Sequence, residues 1–323
     1  MIDLSKLPPP DLLDTLDYEA IYQAKLERFK ALCPAWSAAL ESDPVVKLLE
    51  LSAYDELLMR ARINDVALSR LLVFAAGADL DHAVALLGVS RLVLDPGDAD
   101  AVPPRLPVYE PDDRLRMRGQ MALEGMSVAG PVGAYVFHAL SASALVSDVS
   151  VDAPRFARVD VSPAVAAQLP AGAMALVCTH AAGLPAPIPG DVAVTVLASS
   201  DEADVYVGLL PAVSAHLSSD TIRPLTDHPH VVAGRAVAFE VRATLHCETG
   251  PDPEIAVDAA RKSLADLLSA SRKLGAEVPR SALFAALHVP GVRRVELLSP
   301  SDDVRCSLME YPLCSRVQVE RAA

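Results

Sequence analysis

The chain has 323 residues, 52% of them hydrophobic and only 4% aromatic, with a formal net charge of −14. A chain this long and apolar has ample surface to bury, so it folds, as about two or three domains, rather than staying disordered. Its acidity argues against the clustered cations that a phosphate backbone needs, and no apolar run approaches a membrane span. Neither nucleic acid nor a bilayer is expected as a partner.

Residues 1–15 read as an extended arm, kept from helix by Pro8, Pro9 and Pro10 and carrying Ile2, Leu4 and Leu7, which it cannot bury on itself. Residues 16–92 read as helical. Tyr18, Ile21, Tyr22, Leu26 and Phe29 mark an amphipathic run that stops at Pro34. Asp43-Pro44 then supplies an N-cap and a first-turn proline for a helix expected to run to Gly77. Helices of that length usually belong to bundles. Leu48, Leu51, Leu58 and Ile63 are its candidate partner-facing positions. A short helix is expected over residues 79–87, stopped by Gly88.

Residues 93–111, DPGDADAVPPRLPVYEP at their heart, read as a linker. An α/β domain is expected over 112–235. It opens with a helix bearing Arg114, Arg116 and Arg118, either a basic face for an acidic neighbouring subunit or a solvated surface. Gly130-Pro131 starts a second helix, and LVSDVSV is a strand. Within 153–189, short strands are expected at 156–161 and 174–179. GDVAVTVLAS is a strand and DEADVYVGLLPAVSAHLSS a helix broken near Pro211.

A C-terminal β-α-α-β domain is expected over 236–323. Its strand AVAFEVRATLH alternates apolar and polar residues. A helix follows, with Asp252 as cap, Pro253 at its first position and Gly275 as its stop. A second helix, PRSALFAALH, carries Leu283 and Leu287 as candidate contact residues, and a strand VRRVELLSP completes a β-α-α-β unit. Edge strands are expected from Val304 to Val319.

Chemistry is sparse. His228 and His230, with Asp227 beside them and His216, His246 and Cys247 further off, are the one set that could hold zinc for a metal-dependent hydrolase. No HExxH or CxxC spacing supports it, and a polar loop beside Pro229 is the blander account. There is no GxSxG; Ser127 in GMSVAG matches one only loosely. Gly130-Pro131-Val132-Gly133 lacks the lysine and spacing of a phosphate-binding loop. No catalytic residue and no cofactor is expected. Five dispersed cysteines without CxxC spacing read as reduced thiols, and MIDLSKLPPPDLLD lacks the features of a signal peptide, so synthesis and folding in the cytoplasm are expected.

Several stretches, taken in order, resemble the baseplate assembly protein J family of contractile phage tails. They are IDLSKLPPPDLLDTLDYEAIYQAKLERF, DPVVKLLELSAYDELLMRARINDVALSRLLVFAAGADLDHAVALLGV, RLRMRGQMALEGMSVAGPVGAYVFHALSAS, IRPLTDH and EVPRSALFAALHVPGVRRVELLSP. The resemblance implies a non-enzymatic wedge subunit of a phage tail, tailocin or related baseplate. It implies that the helical part bundles with a second copy and with a different wedge protein, the baseplate I-like one. The C-terminal part, 236–323, would be a dimerisation-type domain that joins neighbouring wedges into a ring around the central hub or spike proteins, and the sheath initiator would dock on the wedge. Assembly would take place in the host bacterial cytoplasm. The 153–189 segment departs from the family pattern and looks like a small inserted element. The expected fold class is α+β, a long-helix bundle region followed by α/β domains with β-α-α-β units.

Overall fold

The computed structural model describes residues 11, 13–36, 40, 42–127, 130–170, 172–248 and 253–322. Most of the expected N-terminal arm, the expected cap Asp252, and residues 128 and 129 of GMSVAG lie outside them. The fold is α+β, and the chain divides into two compact units. One is Met1–Arg91 with Glu110–Gln120, and the other is Leu92–Tyr109 with Met121–Ala323.

In the first unit, α1 (Tyr18–Leu32) starts where the Asp17 carboxylate accepts a hydrogen bond from the Ala20 amide at 3.0 Å. It ends two residues before Pro34, since proline disfavours helix in the residue preceding it. Asp43 caps α2 (Pro44–Ser69) in the same way, accepting from the Val45 amide at 2.8 Å. At 26 residues, α2 is about 39 Å long. It stops short of the Gly77 expected from the apolar pattern, and turns carry the chain to α3 (Gly77–Ala85). The carbonyls of Leu72 and Ala75 in that turn accept from the Arg116 guanidinium at 2.9 and 2.7 Å. Arg116 lies on α4 (Asp112–Gly125), whose first residues belong to this unit and whose last belong to the second. Residues 110–120 group with the helical unit.

In the second unit, the proline-rich stretch is a small hairpin, β1 (Val93–Asp95) with β2 (Val108–Tyr109). Gly130, at φ +73°, makes the left-handed turn into α5 (Val132–Ala142), a backbone region that favours glycine. Then come β3 (Val146–Asp152), β4 (Arg155–Val159), the single turn α6 (Pro163–Ala166), β5 (Ala175–His180) and β6 (Asp191–Ala198). β4 and β5 pair as an antiparallel hairpin, close to the strands expected in 153–189. α7 (Ala203–Leu217) runs through Pro211 unbroken; that residue and Val207 one turn before it are exposed, so the freed carbonyl faces water. α7 leads to β7 (His228–Ala233), parallel to β6, giving the order β3-β6-β7 with β6 buried along its whole length.

The C-terminal part is β8 (Arg235–Cys247), α8 (Pro253–Ser271), β9 (Glu277–Val278), α9 (Arg280–Leu287), β10 (Val292–Ser299), β11 (Val304–Arg305) and β12 (Glu310–Arg321). β8 is central in the order β10-β8-β12, antiparallel to β10 and parallel to β12. Its inward residues Val241 and Leu245 pack in one cluster with Val257, Leu264, Leu283 and Leu287. Each such side chain contributes roughly 1.5–3 kcal/mol when taken out of water. Gly275, at φ +69°, turns the chain after α8, and its amide donates to the Glu310 carbonyl at 2.9 Å. Arg272 joins the two three-stranded sheets of this unit. It donates to Asp201 at 2.5 Å and to the Ala198 carbonyl at 3.0 Å, and lies over the ring of Tyr311. The Tyr311 hydroxyl donates to the same Asp201 at 2.7 Å.

Candidate assembly interface

A helix packed on a single neighbour should be apolar on one side only, yet α2 is apolar on two. Val46, Ala53 and Asn64 point inward and are buried. Asn64 holds the incoming chain through a reciprocal pair: its Oδ1 accepts from the Asp14 amide at 2.9 Å, and its Nδ2 donates to the Asp14 carbonyl at 2.8 Å. Between the helices, Lys25 of α1 sits 2.8 Å from Glu56 and donates to Ser52 at 3.1 Å, while Arg60 reaches Glu56 at 2.6 Å. These two cations hold the Glu56 carboxyl below its ordinary pKa, the hydrogen bond from Lys25 being the main cause.

On the opposite side, Leu48, Leu51, Leu58 and Ile63 are 65%, 57%, 51% and 52% exposed. At 100° per residue, Leu48, Leu51, Leu58, Met59 and Val66 share a face turned away from Val46 and Ala53, and Tyr54 and Ile63 flank it. Tyr54, Met59 and Val66 complete a stripe that the sequence reading had only in part. Their spacing from the other apolar positions carries the signal. The exposed Asp55 and Arg62 lie among them on the same face; single exposed leucines are ordinary on a protein surface, and several sharing one helix face make a candidate site of contact.

The arginines of α4 are placed otherwise. Arg118 is only 3% exposed, and its guanidinium bonds to the fully buried Glu110 carboxylate and, at 3.0 Å, to the Ser90 carbonyl. Arg114 meets the other Glu110 oxygen at 3.0 Å, and burial pushes its pKa down. Arg116 donates to the inter-helix turn and to Asp113 at 2.7 Å. Arg91 completes the set, donating to the Glu110 carbonyl and to Asp112, both at 2.7 Å. Asp112 is held below the usual carboxylate range, first by the Gly77 amide and then by Arg91. The expected basic patch is therefore an internal fastening, because Glu110, Arg114 and Arg118 lie one helical turn apart on a single side. Leu283 and Leu287, expected as contact residues, are 0% exposed: they point from α9 into the core of their own unit.

The histidines do not converge. His230 and His228 lie 2.9 and 3.8 Å from the Asp191 carboxylate, where β7 pairs with β6. Asp227 instead accepts from the Tyr135 hydroxyl at 2.7 Å. His216 stacks near His138 on α5, and His246 lies 3.2 Å from Glu296 across β8 and β10. Among the described residues no group of three or more His, Cys, Asp or Glu side chains could hold a metal. Nor is any helix among them long and apolar enough to cross a membrane.

This chain is 35% identical to baseplate protein J of Escherichia phage P2 over 99% of its own length and 97% of that protein's. It belongs to the baseplate protein J family. Residues 41–98 match the Baseplate J-like N-terminal domain and residues 239–320 the Baseplate J-like protein C-terminal domain. In this family member, the first match holds most of α2 and its stripe, and the second holds most of the sheet-and-helix core. Among solved structures, the cryo-EM structure of the anti-feeding prophage baseplate aligns over 93% of this chain and 53% of that one, at 13% identity and a TM-score of 0.26. The chain thus spans about half the length of that baseplate component.

Proposed function

We propose that this chain is a structural, non-enzymatic wedge subunit in the baseplate of a contractile phage or tailocin tail. Family membership supports a place in the baseplate. The wedge role rests on one observation above the others: α2 carries a second, largely apolar face that the described residues of its own unit leave exposed. That face receives helices from a second copy and from a different, baseplate I-like wedge protein. The sheet-and-helix module at the C-terminal end supplies the rigid body through which adjacent wedges close a ring around hub or spike proteins, with the sheath initiator docking on the assembled wedge. The subunit assembles in the host cytoplasm before joining the particle. A metal-dependent hydrolase at His228 and His230 finds no support, since their shared neighbour is the single carboxylate of Asp191.

Co-expression with the neighbouring tail proteins, followed by sizing and electron microscopy, tests the reading. Leu58→Pro removes a backbone hydrogen bond and clashes with the preceding turn of α2, costing about 3 kcal/mol or more. The wild-type chain is expected to form a wedge complex and the proline variant none. Normal complex formation by the variant would refute the bundle.

A further inference from the structure

We propose that the groove between α9 and β10 is a docking site for an extended, carboxylate-bearing segment of a different baseplate protein, which adds as a strand beside β10. The groove has a volume of about 220 Å³ and is lined by Phe284, Ala285 and His288 of α9 and its C-cap, and by Arg293, Arg294 and Val295 of β10.

Three observations converge on it. β10 is an edge strand, paired only with β8 in the described sheet, and an open edge is a ready template for one more strand. A helix runs beside that edge and leaves an apolar floor of Phe284, Ala285 and Val295, the arrangement in which extended peptides gain main-chain bonds from the strand and side-chain selectivity from the groove. The walls carry the guanidinium groups of Arg293 and Arg294 in a chain of net charge −14. The side chains of His288 and Arg293 are exposed and have no hydrogen-bond or ion-pair partner among the described residues, whereas Arg294 has Glu296 at 2.8 Å. Charge complementarity therefore selects an acidic occupant, and apolar residues alternating with Asp or Glu would suit the floor and the walls together.

A second copy docked groove to groove across a twofold axis would set Arg293 and His288 against their own images. This favours a different protein over self-association at this edge. The carboxylates are the distinguishing part of the claim.

The inference rests on the reading of the chain as a baseplate subunit, and the test separates the two. Ala285, exposed in the groove, is replaced by the photo-cross-linking residue p-benzoylphenylalanine in the full chain. Assembled tail particles are irradiated, and the linked peptide is sequenced by mass spectrometry. The expected product is an extended acidic segment of a different tail protein. Its yield should drop about tenfold or more in Arg293→Glu/Arg294→Glu and persist in Arg293→Lys/Arg294→Lys. A cross-link to a second copy, to a segment without carboxylates, or one undiminished by the charge reversal overturns the groove assignment and leaves the baseplate reading intact. Particles that lack the chain altogether overturn both.

Discussion

The α1–α2 hairpin and the C-terminal module put leucine to opposite uses. On α2, Leu48, Leu51 and Leu58 face solvent, while polar bridges through Lys25, Glu56 and Arg60 help hold the hairpin. In the C-terminal module, Leu245, Leu264, Leu283 and Leu287 are fully enclosed between one sheet and two helices. The contrast teaches that one region buries its apolar residues within itself, while the other leaves many of them exposed, as the proposed assembly role requires. An apolar stripe outside a core adds little to the stability of the isolated chain and a great deal to association.

The comparison can be broken from either side. The largest effect is expected within the helical unit's polar fastening. Glu110→Ala strands Arg114 and Arg118 as buried cations and should cost about 3–5 kcal/mol, read by urea denaturation of that unit. An effect below about 1 kcal/mol would mean that Glu110 fastens nothing. Next, Leu283→Ala leaves a cavity in the C-terminal core and should cost about 2–5 kcal/mol in the same measurement. Were Leu283 a contact residue instead, the loss would appear in assembly and not in the isolated chain.

A smaller effect should appear with pH. Burial lowers the pKa of His138 and of His216, whose pKa His138 depresses further, while the His138 Nε2–H donates to the Gly125 carbonyl at 3.2 Å. Folding thus favours neutral rings. Their contribution is complete above about pH 6.5, the ordinary histidine value, and declines as pH falls through it toward the lower folded pKa. Melting curves between pH 7.5 and pH 5 should show a decline that His138→Gln/His216→Gln flattens. Equal slopes for both proteins would refute it.

Much of this was legible in the residues. Asp17 was not singled out as a cap, but Asp43-Pro44 marked the start of α2, and Pro34 marked the end of α1. Strict alternation in AVAFEVRATLH marked β8, and the two helices and the strand after it follow in the expected order, but the two-residue β9 between α8 and α9 was not foreseen. What failed, failed for tertiary reasons. Arg114, Arg116 and Arg118 look like a solvent-facing row until Glu110, Leu72 and Ala75 are brought to them. Leu283 and Leu287 have the same sequence character as Leu51 and Leu58, and only the sheet behind them decides that they are core. Pro211 signals a break, which an exposed helix face tolerates.

The central claim is that the outward stripe of α2 serves assembly and not folding. It is tested most directly by Leu51→Glu/Leu58→Glu, two exposed positions taking a good helix former. Thermal denaturation of the isolated variant should match wild type within about 0.5 kcal/mol per site, while co-expression with the neighbouring tail proteins should yield no wedge complex. A variant that assembles normally, or one that unfolds outright, would contradict the account.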